Sequence, residues 1–120
     1  MSTHLAAWLV LPTYNEVENI VGILRSIVAI RKSIPTSNFS VVIVDSLSPD
    51  GTAQAANDFI LKHGLSDSFH VITEKKRGLG QAYATGFDYA IEHGGDILLQ
   101  MDSDFSHDPA VIPKLIASIQ

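Results

Sequence analysis

The apolar positions of this chain alternate between two kinds of segment. Residues 8–11 read Trp-Leu-Val-Leu, a continuous apolar run closed by Pro12. From Asn15 or Glu16 the pattern changes. Val17, Ile20, Val21, Leu24, Ile27 and Val28 recur at three- and four-residue steps, which is the stripe of an amphipathic helix. Pro35 and polar residues 36–38 end it, and residues 41–44 (Val-Val-Ile-Val) form a second, β-branched run. Residues 48–52, Ser-Pro-Asp-Gly-Thr, have turn composition, and Ala56, Phe59 and Ile60 mark the helix after it. Residues 69–72 predict a third, weaker strand. Gly78 and Gly80 introduce a helix with Ala82, Tyr83, Gly86, Phe87, Ala90 and Ile91 on one face, stopped by Gly94 and Gly95. Residues 97–101 predict a fourth strand. Asp108 then reads as an N-cap with Pro109 at the first helical position, opening a helix with Val111, Ile112, Leu115, Ile116 and Ile119 on its apolar side.

The predicted order is βαβαβαβα. Strands that are apolar throughout are expected where helices cover both faces of a parallel sheet. The fold class is therefore α/β, a Rossmann-like parallel sheet with right-handed crossovers and helices on both faces. Ligands of such sheets bind beyond the carboxyl ends of the strands. Here all four ends are polar: Pro-Thr-Tyr-Asn-Glu at 12–16, Asp45 and Ser46 leading into the 48–52 turn, Glu-Lys-Lys-Arg-Gly at 74–78, and Asp-Ser-Asp at 102–104. Topology gathers them on one edge.

Composition narrows the function classes. The chain has 120 residues, no cysteine, 8 basic and 13 acidic side chains, a formal charge of −5 and 46% apolar residues. That is one domain or part of one, able to bury about two thirds of its unfolded surface. Thiol chemistry and thiolate metal sites are excluded, and the acidic balance argues against a nucleic-acid partner. The opening residues lack the basic and long apolar regions of a signal peptide, and Arg25 and Arg31 cut the apolar stretches well below the ~18 residues of a membrane span. A cytoplasmic location is expected.

Asp102 and Asp104 are the sharpest pair. Residues two apart in an extended segment point to one side, and two carboxylates so placed repel unless a cation lies between them. Hard oxygen donors suit Mg²⁺ or Mn²⁺, commonly shared with substrate phosphates. The competing reading is a pair of solvated Asx-turn residues. Asp45 has two readings as well: an acceptor for a ribose or base donor, or a turn acceptor for the 48–52 segment. Asp50 and Gly51 read as turn residues. Tyr14 offers a ring for stacking on a base and Glu16 an acceptor, unless both belong to a helix start capped by Asn15. Lys75, Lys76 and Arg77, beside a glycine-led helix start, could hold phosphate or could be solvated loop. Residues 78–86 match neither the dinucleotide fingerprint nor a Walker A loop. The five histidines are scattered, with only His107 near a strand end.

Taken together, residues 11–16 (Leu-Pro-Thr-Tyr-Asn-Glu), Val44-Asp45 with residues 48–52, residues 76–83 (Lys-Arg-Gly-Leu-Gly-Gln-Ala-Tyr) and residues 101–107 (Met-Asp-Ser-Asp-Phe-Ser-His) resemble family 2 glycosyltransferases. The nearest branch is the dolichol-phosphate (polyprenyl-phosphate) mannosyltransferases. The resemblance implies a GT-A fold that binds a nucleotide-sugar, GDP-mannose or another GDP- or UDP-hexose, and transfers the sugar with inversion to a polyprenyl phosphate. It implies that Pro12, Tyr14, Glu16, Val44 and Asp45 hold the nucleoside. It makes Asp102, Ser103 and Asp104 the Asp-x-Asp element for the diphosphate and a Mg²⁺ or Mn²⁺ ion, with Asp102 and Asp104 as metal ligands. Lys76 and Gly80 join the nucleotide-sugar set. Two positions depart from the family pattern: Ser46 stands where a second aspartate usually reads the base, and Ser106 where a stronger metal-supporting side chain is common. Family members are also much longer. Residues 1–120 are accordingly expected to be the N-terminal, nucleotide-sugar-binding part of a GT-A domain, with little transferase activity alone. Membrane association would belong to the full-length protein, and an unpaired sheet edge provides a route to homo-oligomers.

A signalling module is the alternative. A chain of this length with Val44-Asp45 and a Pro-x-Gly turn after a strand also resembles a receiver domain, with Asp45 as phospho-acceptor. Against it, strand one ends in no acidic pair that could hold Mg²⁺ beside Asp45, and no lysine-bearing fifth strand follows.

Overall fold

The computed structural model describes residues 5–36, 38–102 and 108–119. Four strands, β1 (Ala7–Thr13), β2 (Phe39–Asp45), β3 (Phe69–Thr73) and β4 (Ile97–Gln100), alternate with four helices, α1 (Ile20–Ile30), α2 (Thr52–Lys62), α3 (Leu79–Glu92) and α4 (Ile112–Ile119). The strands form one sheet in the order β3-β2-β1-β4, and every pairing is parallel. This is the expected α/β class.

The order explains which helix covers which face. From β1 to β3 the chain steps in one direction across the sheet, and from β3 it jumps back past β1 to β4. Right-handed crossovers in opposite directions deposit their helices on opposite faces. Strand residues alternate accordingly. Ala7, Leu9, Leu11, Val41 and Ile43 pack with Ile20, Ile23, Leu24 and Ile27 of α1, Ala56, Phe59 and Ile60 of α2, and Ile112 and Ile116 of α4. Trp8, Val10, Val42 and Val44 pack with Ala82 and Ala90 of α3. Leu9, Leu11, Ile23, Leu24, Ile27 and Ile43 are wholly buried, each worth about 1.5–3 kcal/mol relative to exposure. Helix α3 comes especially close to the sheet: a Cβ on Gly86 would overlap the Val10 side chain.

Three details refine the expected elements. The first helix does not open at Asn15 or Glu16 but at Ile20, preceded by Asn19 without a side-chain cap bond. Asn15 takes a left-handed φ of 54°, and the amides of residues 15–17 are claimed by the following loop rather than by a helical turn. Val17, expected on the stripe, is 38% exposed. The turn at 48–52 forms as expected, with Gly51 at φ 90° just before α2, a backbone state glycine adopts at little cost. Asp108 caps as expected, accepting from the Ala110 amide with Pro109 next, although the first turn (Pro109–Val111) is 3₁₀ before α4 begins. Pro12 lies on a central strand, beyond the last β1–β4 partners Val10 and Gln100, where its missing N–H costs no ladder bond. Among the described residues, no helix is long and apolar enough to cross a membrane.

Candidate functional site

The jump from β3 back past β1 makes the gap between β1 and β4 the topological switch point, where an open α/β sheet leaves a crevice at its carboxyl edge. A cleft of about 290 Å³ opens there. It is lined by Pro12, Thr13, Tyr14 and Glu16 after β1, Ser46 after β2, Lys76, Gly78, Leu79 and Ala82 from the approach to and start of α3, and Asp102 after β4. All four strand ends contribute to it.

Of the residues expected to bind a nucleotide-sugar, Pro12, Tyr14, Glu16, Ser46, Lys76 and Asp102 line this cleft. Val44 does not: it is fully buried against α3. Gly80 is exposed in the first turn of α3, outside the lining. Ser103 and Asp104, and with them the second half of the Asp-x-Asp pair, lie outside the described residues, as do Ser106 and His107.

Asp45 is 1% exposed and turned onto its own loop. Its Oδ1 accepts from the hydroxyls of Thr13 and Ser48, both at 2.6 Å, and its Oδ2 from the Ser48 amide at 2.8 Å. The Ser48 hydroxyl in turn accepts from the Asn15 amide at 2.9 Å. A second relay lies beside it. The Glu16 amide donates to the Thr52 hydroxyl at 3.0 Å, Thr52 donates to Asp50, and the Val17 amide donates to Asp50 Oδ2 at 3.1 Å. Three successive amides of the β1–α1 loop are thus held by side chains two residues apart, Ser48 and Asp50 of the β2–α2 loop and Thr52 at the start of α2. Desolvation raises the Asp50 pKa, but the bonds from the Thr52 side chain and the Val17 and Thr52 amides hold it below the usual carboxylate value. The two relays fix the backbone that carries Tyr14 and Glu16, and so position cleft residues without facing the cleft. Between the two readings of Asp45, its geometry is that of a turn acceptor. A phospho-acceptor must be reachable, so the receiver-like alternative gains no support from this buried carboxylate.

Tyr14, 38% exposed, carries the Lys76 ammonium 3.6 Å from its ring centroid. Glu16 accepts from the Asn19 side-chain amide at 3.1 Å. Arg77 turns aside to Glu74 at 3.4 Å, and Lys76 alone of the three consecutive basic residues lines the cleft. Asp102 is half-buried, and the Tyr83 hydroxyl donates to its Oδ1 at 2.5 Å. Among the described residues no three acidic or histidine side chains cluster to hold a metal. A cleft-facing carboxylate still fits Mg²⁺ or Mn²⁺, which commonly take one or two protein carboxylates and complete their shell with substrate phosphate and water. Thr13, Gly78, Leu79, Ala82 and Tyr83 were not singled out as site residues by the sequence. The 76–83 block contains all of these but Thr13, which lies in the 11–16 block; the charge of the former singles out Lys76, and the apolar spacing of Ala82 and Tyr83 is that of core residues.

The sequence model of Glycosyl transferase family 2 matches residues 8–120. The undecaprenyl-phosphate mannosyltransferase of Micrococcus luteus is 38% identical over 112 residues, covering 92% of this chain and 43% of that protein. The polyprenol monophosphomannose synthase of Mycolicibacterium smegmatis and the dolichol-phosphate mannosyltransferase of Pyrococcus furiosus are each 35% identical over 111 residues, covering 92% of this chain and 39% and 29% of those proteins. The chain therefore spans less than half the length of these curated relatives. Among solved structures, the mannosyltransferase PcManGT from Pyrobaculum calidifontis, in complex with GDP-Man and Mn²⁺, superposes with a TM-score of 0.70 at 27% identity, covering 92% of this chain and 31% of that one. S. aureus TarS 1–349, in complex with UDP, gives 0.74 at 26% identity, covering 96% and 32%.

Proposed function

The chain belongs to glycosyl transferase family 2, and from that membership we propose that it forms the nucleotide-sugar-binding part of a hexosyltransferase. The donor is a nucleoside diphosphate sugar, GDP-mannose in the first instance, and the acceptor in the whole protein is a polyprenyl phosphate. The observation that carries this reading is the cleft itself: one aromatic ring, one ammonium and two carboxylates, from three different strand ends, around about 290 Å³. The activities named for the relatives support mannose and a lipid phosphate.

Each side chain has a chemical part. Tyr14 offers its face to the base. Ser46 lines the same cleft and can hydrogen-bond the base, but a neutral hydroxyl makes bonds roughly half as strong as a carboxylate's. Lys76 supplies positive charge to the diphosphate. Asp102, with Asp104, would hold Mg²⁺ or Mn²⁺. When bound, that ion supplies Lewis-acid neutralisation of the charge building on the departing nucleoside diphosphate. The acceptor phosphate is already an anion near neutral pH and needs little general-base help. A lipid-linked acceptor would bring the whole protein to a membrane surface, at its cytoplasmic face.

Thermal-shift titration with GDP and UDP, each with and without Mn²⁺, tests the reading. Metal-dependent stabilisation is expected, about 2.7 kcal/mol when free nucleotide is 100 times its Kd. It should vanish in Asp102→Ala and in Asp104→Ala. No metal-dependent stabilisation by either nucleotide overturns the proposal, and the stronger nucleotide identifies the base.

A further inference from the structure

We infer that Tyr83 is a positioning residue that orients the Asp102 carboxylate for its ion. The inference rests on the proposed function, since it concerns the ion that Asp102 would hold. Tyr83 sits in the second turn of α3, on the face of the sheet opposite α1 and α2. Its ring stacks on Phe87, with centroids 6.1 Å apart and planes 20° off parallel, and packs on the Trp8–Val10–Val44 core. A phenylalanine would satisfy that packing. The hydroxyl adds a donor, and it is spent on Asp102 Oδ1 at 2.5 Å, across 19 residues of chain.

The helix places this hydroxyl with little freedom. One turn along from Tyr83, Gly86 lies so close to Val10 that any side chain would collide. Ala82, the neighbour of Tyr83, is 2% exposed and lines the cleft floor. Helix α3 is thereby held at one height above the sheet, and the Tyr83 hydroxyl meets the first residue beyond the buried Met101 at the end of β4. Tyr83 is absent from the cleft lining, whereas Asp102 faces it, so Tyr83 acts through the carboxylate and not on the ligand. A hydrogen bond to one carboxylate oxygen helps to fix the plane of the group. Side chains that hydrogen-bond metal ligands do this, and losing one typically costs about 10–100-fold in metal affinity.

The test is calorimetric titration of the chain with the stronger of GDP and UDP, with and without Mn²⁺, in wild type, Tyr83→Phe, Phe87→Leu, Asp102→Ala and the Tyr83→Phe/Asp102→Ala double variant. Tyr83→Phe is expected to weaken the Mn²⁺-dependent component about tenfold or more, leaving metal-free nucleotide affinity unchanged. Phe87→Leu disturbs the ring stack without touching the hydroxyl and should leave the Mn²⁺ component intact. In the Asp102→Ala background, Tyr83→Phe should have no further effect. The inference is overturned if Tyr83→Phe keeps the wild-type Mn²⁺ dependence. It is also overturned if affinity falls equally with and without metal, or if the two substitutions add. Should Tyr83→Phe fail to fold, the hydroxyl is structural and the inference is likewise overturned. If wild type itself shows no Mn²⁺-dependent binding, the proposed function fails and takes this inference with it. If wild type shows it and Tyr83→Phe retains it, only the inference fails.

Discussion

The Lys76 ammonium lies 3.6 Å from the centroid of the Tyr14 ring. The two residues come from different strand ends, and their contact spans the cleft that both line. A base stacking on Tyr14 competes for the ring face, while a diphosphate offers the ammonium another partner. One ligand carrying both groups would exchange this contact for two. Lys76→Met keeps the aliphatic stem and removes the charge. Nucleoside diphosphate affinity is expected to fall about tenfold or more, in line with ~1.5–3 kcal/mol for a hydrogen bond to a charged group. Affinity for the uncharged nucleoside should not fall. Stability should change by about 0.5–1 kcal/mol, the size of an exposed cation–π contact. Calorimetry with the paired ligands, and urea unfolding, check the three statements.

Asp45 anchors rather than lines the site, so its removal should show first in stability. Asp45→Ala strands three donors: the Thr13 and Ser48 hydroxyls and the Ser48 amide. The expected loss is at least about 1–3 kcal/mol, the desolvation cost of an unsatisfied buried polar group. Asp45→Asn should recover part of it, because one carbonyl oxygen remains. Urea midpoints order the variants as wild type, Asn, Ala. An Ala variant as stable as wild type would show the relay to be ornamental.

Gly86→Ala tests the close approach of α3. The added methyl collides with Val10, and overpacking of this kind costs about 1–3 kcal/mol. Combining it with Val10→Ala makes room, so the double variant should be less destabilised than the sum of the single ones. Additive losses would mean that α3 shifts instead of pressing on Val10.

His70 supplies a pH dependence at the other end of the sheet. Its ring stacks on Trp8, with centroids 5.5 Å apart, and lies 5.7 Å from that of Tyr89. Burial, and then repulsion from His93, lower its pKa below the ordinary 6.5. Native His70 therefore resists a proton that the unfolded chain accepts. Its contribution to stability is fully present above pH 6.5 and declines as pH falls from there through the lowered native value. Wild type should lose urea stability over that interval, and His70→Gln should lose less. Trp8, the only tryptophan, reports unfolding by its fluorescence. Identical pH slopes in the two proteins would sink the assignment.

Local pattern carried the architecture. Four apolar runs, two of them free of polar interruption, read as buried strands, and the stripe of Val17, Ile20, Val21, Leu24, Ile27 and Val28 read as a helix face, of which Ile20, Leu24 and Ile27 are buried together with Ile23. The polar residues just past each run marked the ligand edge, since a parallel sheet brings those ends together whatever the strand order. Tyr14, Lys76 and Asp102 were legible for that reason. The start of α1 was not, because the amides of residues 15–17 are captured by Ser48, Thr52 and Asp50, more than thirty positions away.

The amino-acid order alone thus settled the kind of layers and the side of the sheet on which polar chemistry collects, because both follow from periodicity within a single element. Tertiary structure decided the assignments that join elements: that Asp45 folds inward onto Thr13 and Ser48, that Val44 is core, and that the Tyr83 hydroxyl meets Asp102. Those contacts depend on strand register, on the hand of each crossover and on how near α3 can come to Val10. None of these is encoded within the few residues that make the contact.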